Sequence, residues 1–181
     1  MLSLYADGGV IKKNPSRIGG TWAWCLVNEA NERVKEASGH VTPAQLSQHE
    51  LTNFEVVTNN VTELLAVILG MEALEAGWGG IIYTDSMVTL RRINKKAVKP
   101  PGMAGVPTFL VRRLAASQCR LGDYTTILLG GHPTRKELAD GKRRDGLPCS
   151  PHNCYCDRLC GATGKKFLAS LEELRSHDVI G

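Results

Sequence analysis

Short apolar runs separated by polar turns open the chain. LSLYA at residues 2–6, GTWAWCLVN at 20–28 and RVKEASGHV at 33–41 read as three strands, the last two joined by the polar NEAN turn into an antiparallel hairpin. The paired glycines after Asp7 predict that the first strand ends there, with KKNPSRIGG as the loop that follows. Trp22 and Trp24 alternate on one side of the second strand, as residues filling a packing layer do.

The period changes in the middle of the chain. From Asn60 onward, Val61, Leu64, Leu65, Ile68 and Leu69 recur at helical spacing, and Gly77 and Gly79 separate this helix from the strand IIYT at 81–84. A helix beginning at Ser86 or Met87 carries RRINKK until the prolines and glycines of KPPGMAGVP break it. Residues 108–120 give another helix, with Leu110, Leu114 and Ala115 inward, before the strand YTTILLG at 124–130. A long glycine- and charge-rich connection at 131–153 leads to a last helix over 154–177, interrupted at Gly161 and Gly164. Three strands, helix, strand, helices, strand, helix is an order that builds a mixed sheet covered by helices, with active groups at strand ends.

At 181 residues the chain suits a single domain, 1–181, with one hydrophobic core. Its apolar stretches, such as ILLGG and VILG, fall far short of the roughly 20 residues a membrane helix needs. No basic leader precedes a processing site, so the expectation is an unprocessed, soluble, intracellular monomer. The net charge of +4 is modest but segregated. Between Asp85 and Gly122 eight basic residues face that single acid, RKELADGKRR at 135–144 is also basic, and residues 28–63 are net acidic. Such segregation permits a polyanion-binding face beside acidic chemistry; a solvated charged face is the bland alternative.

Four acids draw attention. The strand IIYT runs straight into Asp85, and Asp7 closes the first strand, so neighbouring placement of those strands brings both carboxylates to one edge. Each also has an ordinary explanation: Asp7 organises a turn, Asp85 caps the following helix, Glu63 completes an NVTE capping box, and Asp157 marks a helix start.

Read together, DGG, TNNVTEL, YTDS and NCYCD resemble the type 1 ribonuclease H family, in the same order and over about residues 2–165. The resemblance implies an α/β fold, a ribonuclease H-like mixed five-stranded sheet flanked by helices. It implies metal-dependent endonucleolytic hydrolysis of the RNA strand of RNA/DNA hybrids, leaving 5′-phosphate and 3′-hydroxyl ends. Carried onto the matching positions, it nominates Asp7, Glu63, Asp85 and Asp157 as metal ligands and catalytic acids. Clustered carboxylates need compensating hard cations, for which oxygen ligands suit two Mg2+ ions, with Mn2+ as a substitute.

The family also places a histidine in a glycine-containing loop before its final acid. His132 in GGHPTRK matches that transition, although 24 residues separate it from Asp157, more than the family loop contains. His152 in PHNCYCD lies nearer in sequence and competes for the role. Cys149, Cys154, Cys156 and Cys160 with His152 raise a zinc knot as an alternative, but their spacing is irregular and reduced intracellular thiols are the simpler reading.

For the substrate, Asn59 and Asn60 of the TNN element offer amides to a sugar hydroxyl or base edge, and Asn14 of the NP loop is a second contact. Arg91, Arg92, Lys95 and Lys96 resemble a reduced version of the family's basic handle and would grip the duplex backbone. Two other readings stay open: a nuclease of the same scaffold acting on DNA or structured RNA, and a noncatalytic nucleic-acid-binding protein. The basic residues suit all three; the ordered acids favour catalysis.

Overall fold

The computed structural model describes residues 1–48, 50–51, 53–94 and 102–178. Five strands form one mixed sheet in the order β3-β2-β1-β4-β5. β1 (Ser3–Val10), β2 (Gly20–Val27) and β3 (Arg33–Val41) make an antiparallel meander, and β4 (Ile81–Thr84) and β5 (Thr125–Leu128) add in parallel beyond β1. Parallel addition needs crossovers, and helices supply them. α2 (Asn59–Glu72) connects β3 to β4, preceded by the short α1 (Pro43–Ser47), while α3 (Met87–Ile93) and α4 (Thr108–Arg120) connect β4 to β5. α5 (Arg135–Ala139) and α6 (Pro151–Asp178) complete the chain.

Strand alternation sorts the core into two layers. Leu4, Ala6, Trp24 and Leu26 face α2 and α4, where Leu64, Ile68, Met71 and Leu110 are fully buried. Each such aliphatic side chain contributes about 2 kcal/mol by leaving water. Tyr5, Ala23, Cys25 and Val27 face the other way, against Cys156 and Cys160 of α6.

Several expectations change. β1 does not stop at Asp7: it continues through Gly8 and Gly9, paired with Trp22 and Thr21 of β2. α2 begins one residue earlier than its apolar period suggested, with Thr58 at the N-cap and no side-chain cap, so the NVTE capping box does not form. Ser86, not Asp85, caps α3, its hydroxyl accepting from the Thr89 amide at 3.2 Å. In α4 Leu110 and Leu114 are inward, but Ala115 is exposed and Ser117 takes the inward place. The 131–153 connection is structured: Thr134 and Glu137 form a capping box that starts α5, and α6 begins at Pro151 and runs unbroken past both of its glycines. Lys95 and Lys96 lie outside the described residues. Among the described residues, no helix is long and apolar enough to cross a membrane.

Candidate active site

The parallel β1–β4 register sets the site. Tyr5 stands opposite Tyr83, and their rings stack with centroids 4.4 Å apart and 5° between planes. Two residues beyond that pair come Asp7, still in β1, and Asp85, one residue past the end of β4, and the charge of Asp85 acts directly on Asp7. Asp7 is buried, 7% exposed, and its Oδ1 accepts from the Gly8 amide at 2.7 Å.

Glu63 arrives from the opposite layer, on the first turns of α2. It can do so because Gly8 has no side chain: a Cβ there would lie 2.3 Å from the Glu63 nitrogen and 2.4 Å from the Thr62 carbonyl carbon. The strand and the helix thus meet backbone to backbone. Glu63 Oε1 accepts from Asn59 Nδ2 at 2.5 Å, and Ser86 also hydrogen-bonds to its carboxylate. Asp157 enters from α6 on the second layer, in the helix's second turn, half-exposed at 49%.

These acids feel one another. Burial raises the Asp7 carboxyl well above its usual range, and the charges of Asp85, Asp157 and Glu63 push it further. Burial likewise raises Glu63 to about 7, with Asp85 adding to the rise and Arg92 opposing it. Asp85 is raised by burial and by Asp157, against a hydrogen bond from Asn153 and the nearby His132. Among the described residues no Lys or Arg forms an ion pair with Asp7 or Asp85.

As they stand, no three His, Cys, Asp or Glu side chains among the described residues make a group that could hold a metal ion. Three of the carboxylates are instead engaged by protein donors, Asp7 by the Gly8 amide, Glu63 by Asn59 Nδ2 and Asp85 by Asn153 Nδ2 at 3.2 Å. The donor chemistry still fits a hard divalent cation: the set is all oxygen, it is under mutual repulsion, and no Lys or Arg among the described residues pairs with its two central members.

The fold sets the two histidines in different surroundings. His132 follows β5 with its ring 82% exposed and its Nδ1 3.8 Å from Asp157 Oδ2. Its backbone is left-handed, φ 48°, and a Cβ on the preceding Gly131 would lie 2.7 Å from Asp85 Oδ2. His152 is buried elsewhere, against the Tyr5 ring, with Nε2 2.9 Å from Asn31 Oδ1 and Nδ1 3.4 Å from Arg33 Nη1. Burial and then the Arg33 charge lower its basicity.

The cysteines diverge. Cys156 Sγ lies 3.7 Å from Cys25 Sγ, Cys160 Sγ reaches the Asp7 carbonyl at 3.4 Å, and Cys149 and Cys154 are partly exposed.

Three of the substrate candidates converge. Asn14, joined to Pro15 by a cis peptide bond, accepts from the Asn59 amide at 3.2 Å, and its loop is pinned by paired Ser16–Val57 backbone bonds. Asn14, Asn60 and Arg92 line a cavity of about 350 Å3 with Thr58 and Gly105. Arg92 is only 9% exposed, and its Nε and Nη1 have no partner among the described residues. Arg91 is exposed on the same helix and is not in that cavity's wall.

Asn153, Ser86 and Arg143 were missed by sequence reasoning. They touch the Asp85, Glu63 and Gly131 positions from 68, 23 and 12 residues away, and no local pattern announces such contacts.

No family model matches the sequence, and neither does any curated protein. Solved structures do. The N-terminal RNase H domain of a Mycobacterium tuberculosis protein superposes with a TM-score of 0.56 at 18% identity, over 94% of this chain and 97% of that one. LC11-RNase H1, solved in complex with an RNA/DNA hybrid, gives 0.56 at 18% identity over 93% and 99%. RNase H1 from Halobacterium salinarum gives 0.51 at 19% identity over 72% and 86%. The chain has the ribonuclease H fold. The five-stranded ribonuclease H sheet accounts for the meander, the two parallel additions and the placement of Asp7 beside Asp85.

Proposed function

We propose that this protein is a divalent-metal-dependent endonuclease that hydrolyses the RNA strand of RNA/DNA hybrids, leaving 5′-phosphate and 3′-hydroxyl ends. One observation carries the reading: Asp85, just past the end of the strand parallel to β1, sets its charge against that of Asp7, and Glu63 and Asp157 do the same from two different layers. Burying mutually repelling carboxylates is costly, and structural needs alone do not repay it. The ribonuclease H fold typically works with divalent ions, and the all-oxygen donor set suits magnesium or manganese.

In this reading Asp7, Glu63, Asp85 and Asp157 are the ligands. Two cations, when bound, would supply an activated water and compensate charge on the departing 3′ oxygen. The protein does the rest. Asp7 and Asp85 would hold those cations at the sheet edge where the scissile phosphate enters. Asn153 and Ser86 orient Asp85 and Glu63 through hydrogen bonds. His132, exposed at the rim beside Asp157, carries a proton toward the leaving oxygen.

Asn14 and Asn60 present amides to the minor groove, where ribose 2′-hydroxyls distinguish RNA from DNA, and Asn59, whose Nδ2 is bonded to Glu63, offers its Oδ1 to the same groove. Arg92 and Arg91 add positive charge along the backbone path, with Lys95 and Lys96 extending it in sequence.

The test compares 5′-labelled RNA/DNA, RNA/RNA, DNA/DNA and single-stranded RNA with magnesium, manganese or chelator. Metal-dependent internal cleavage of the RNA strand in the hybrid is expected, lost in Asp85→Asn. Preferential cleavage of DNA or of structured RNA would move the assignment to a related nuclease. Binding without cleavage of any of the four would make the protein a noncatalytic nucleic-acid binder.

A further inference from the structure

The connection between β5 and α6 folds back on itself. Gly130 donates to the Pro148 carbonyl at 2.8 Å, Lys142 and Pro148 form a β-bridge, and Cys149 donates to the Gly141 carbonyl at 2.9 Å. Within this compact insert the Arg143 amide bonds the Leu147 carbonyl at 2.8 Å, while Glu137 accepts from the Arg144 amide at 3.1 Å. The backbone of Arg143 is therefore fixed by its own segment.

Its side chain leaves the insert and lies along the start of the His132 turn. The aliphatic stem fills the space a Gly130 side chain would occupy, its Cδ 2.2 Å from where that Cβ would be. Nη1 donates to the Gly131 carbonyl at 3.0 Å, and Nη2 is steadied by Asp145 Oδ2 at 3.1 Å.

That carbonyl belongs to the peptide linking Gly131 to His132. On one side of it Gly131 packs against Asp85; on the other, His132 adopts a left-handed conformation that an L residue keeps only where its surroundings dictate it. The His132 ring is 82% exposed, so side-chain packing does not hold it near Asp157. Its placement depends on its backbone.

We propose that Arg143 is a positioning residue: by gripping the Gly131 carbonyl it holds the left-handed turn that presents the His132 imidazole to Asp157 and the reacting phosphate. This rests on the nuclease reading above, in which His132 moves a proton. The guanidinium suits the task because one nitrogen can bond the carbonyl while another is anchored by a carboxylate, a division that a lysine ammonium reproduces only in part.

The experiment is a double-mutant cycle with a structural readout beside it. Arg143→Ala should lower kcat on an RNA/DNA hybrid roughly ten- to a hundredfold with KM nearly unchanged, the cost of misplacing a reacting group by about 1 Å. In a His132→Ala background the same change should cost nothing further, and Arg143→Lys should recover part of the loss. Gly130→Ala, which displaces the Arg143 stem, should repeat the pattern and serves if Arg143→Ala does not fold. The three-bond HN–Hα coupling of His132, which reports φ, should leave its left-handed value in Arg143→Ala whether or not the protein cleaves anything. Equal losses with and without His132, or an unmoved coupling, would overturn the proposal. A wild type that cleaves no hybrid while the coupling still moves in the variant would count against the nuclease reading and leave the positioning role standing.

Discussion

A methyl group on Gly8 would lie 2.3 Å from the amide nitrogen of Glu63. Both partners at this contact are backbone, one in a five-stranded sheet and one in a 14-residue helix, so neither has a flexible end that can give way. Gly8→Ala should therefore push α2 off β1. A loss of about 3 kcal/mol is expected, a drop in melting temperature of roughly 6 to 12 °C, measurable by calorimetry. Activity should fall with it, because the same displacement separates Glu63 from Asp7.

The acids make stability depend on pH in an unusual direction. Burial raises Glu63 from the ordinary 4.5 to about 7 in the folded protein, and Asp7 and Asp85 are also raised. Below about 4.5 Glu63 is protonated both folded and unfolded, and its contribution is fully present. As pH rises toward 7 the unfolded chain ionises first, and that contribution is lost. The loss for Glu63 alone is on the order of 3 kcal/mol. Urea titrations of metal-free protein across pH 5 to 8 should show this decline on top of other ionisations, and Glu63→Gln should flatten it. Magnesium should restore stability at the alkaline end and do little at the acid end, since it takes the place of the protons.

Much of the frame could be read in the sequence because strand and helix periods were clean: the hairpin of β2 and β3, the apolar stripe of α2 and the strand before Asp85 all appear where alternation placed them. The errors had local causes. Two glycines after Asp7 read as a turn, yet Gly8 is glycine because a helix backbone presses on it in mid-strand. Asn60 and Glu63 had capping-box spacing, yet Thr58 takes the cap, Asn59 turns its amide onto Glu63, and Glu63 is freed from capping duty. The 24-residue gap between His132 and Asp157 exceeds that of the family loop, and the insert that fills it closes through the Gly130–Pro148 bond and returns the chain to its starting point. Asn153, Ser86 and Arg143 act across distances that no window of sequence can span.

Arg92 should show a conflict between stability and binding. Its guanidinium is buried with Nε and Nη1 unpartnered among the described residues, and its contact to the Gly102 carbonyl is long, at 3.5 Å. Burying a cation with two of its nitrogens unpartnered among the described residues is costly wherever Glu63 is protonated and offers it no charge, and an apolar side chain of similar volume removes that cost. At pH 5, where the raised Glu63 is protonated, Arg92→Met is expected to raise stability by about 1 to 2 kcal/mol. If Arg92 meets a phosphate beside Asn14 and Asn60, the same variant should bind an RNA/DNA hybrid more weakly, with a slope of log affinity against log salt smaller by about 1. Fluorescence anisotropy in chelator across a salt series measures this without cleavage. An unchanged slope would remove Arg92 from the interface.

Gly131→Ala should behave as the converse of Gly8→Ala. The added methyl would lie 2.7 Å from Asp85 Oδ2, the far end of a side chain that can rotate, and not from a backbone atom. Asp85 should swing away and stretch its 3.2 Å hydrogen bond from Asn153, while the sheet and helices stay in place. The expected signature is a melting temperature within a few degrees of wild type together with a hybrid cleavage rate lower by roughly ten- to a hundredfold. Because the displaced group is a proposed ligand, the magnesium concentration for half-maximal activity should rise as well. A variant that unfolds would mean that the Gly131 turn bears on stability; one that cleaves normally would mean that the orientation of Asp85 seen here does not matter for the reaction.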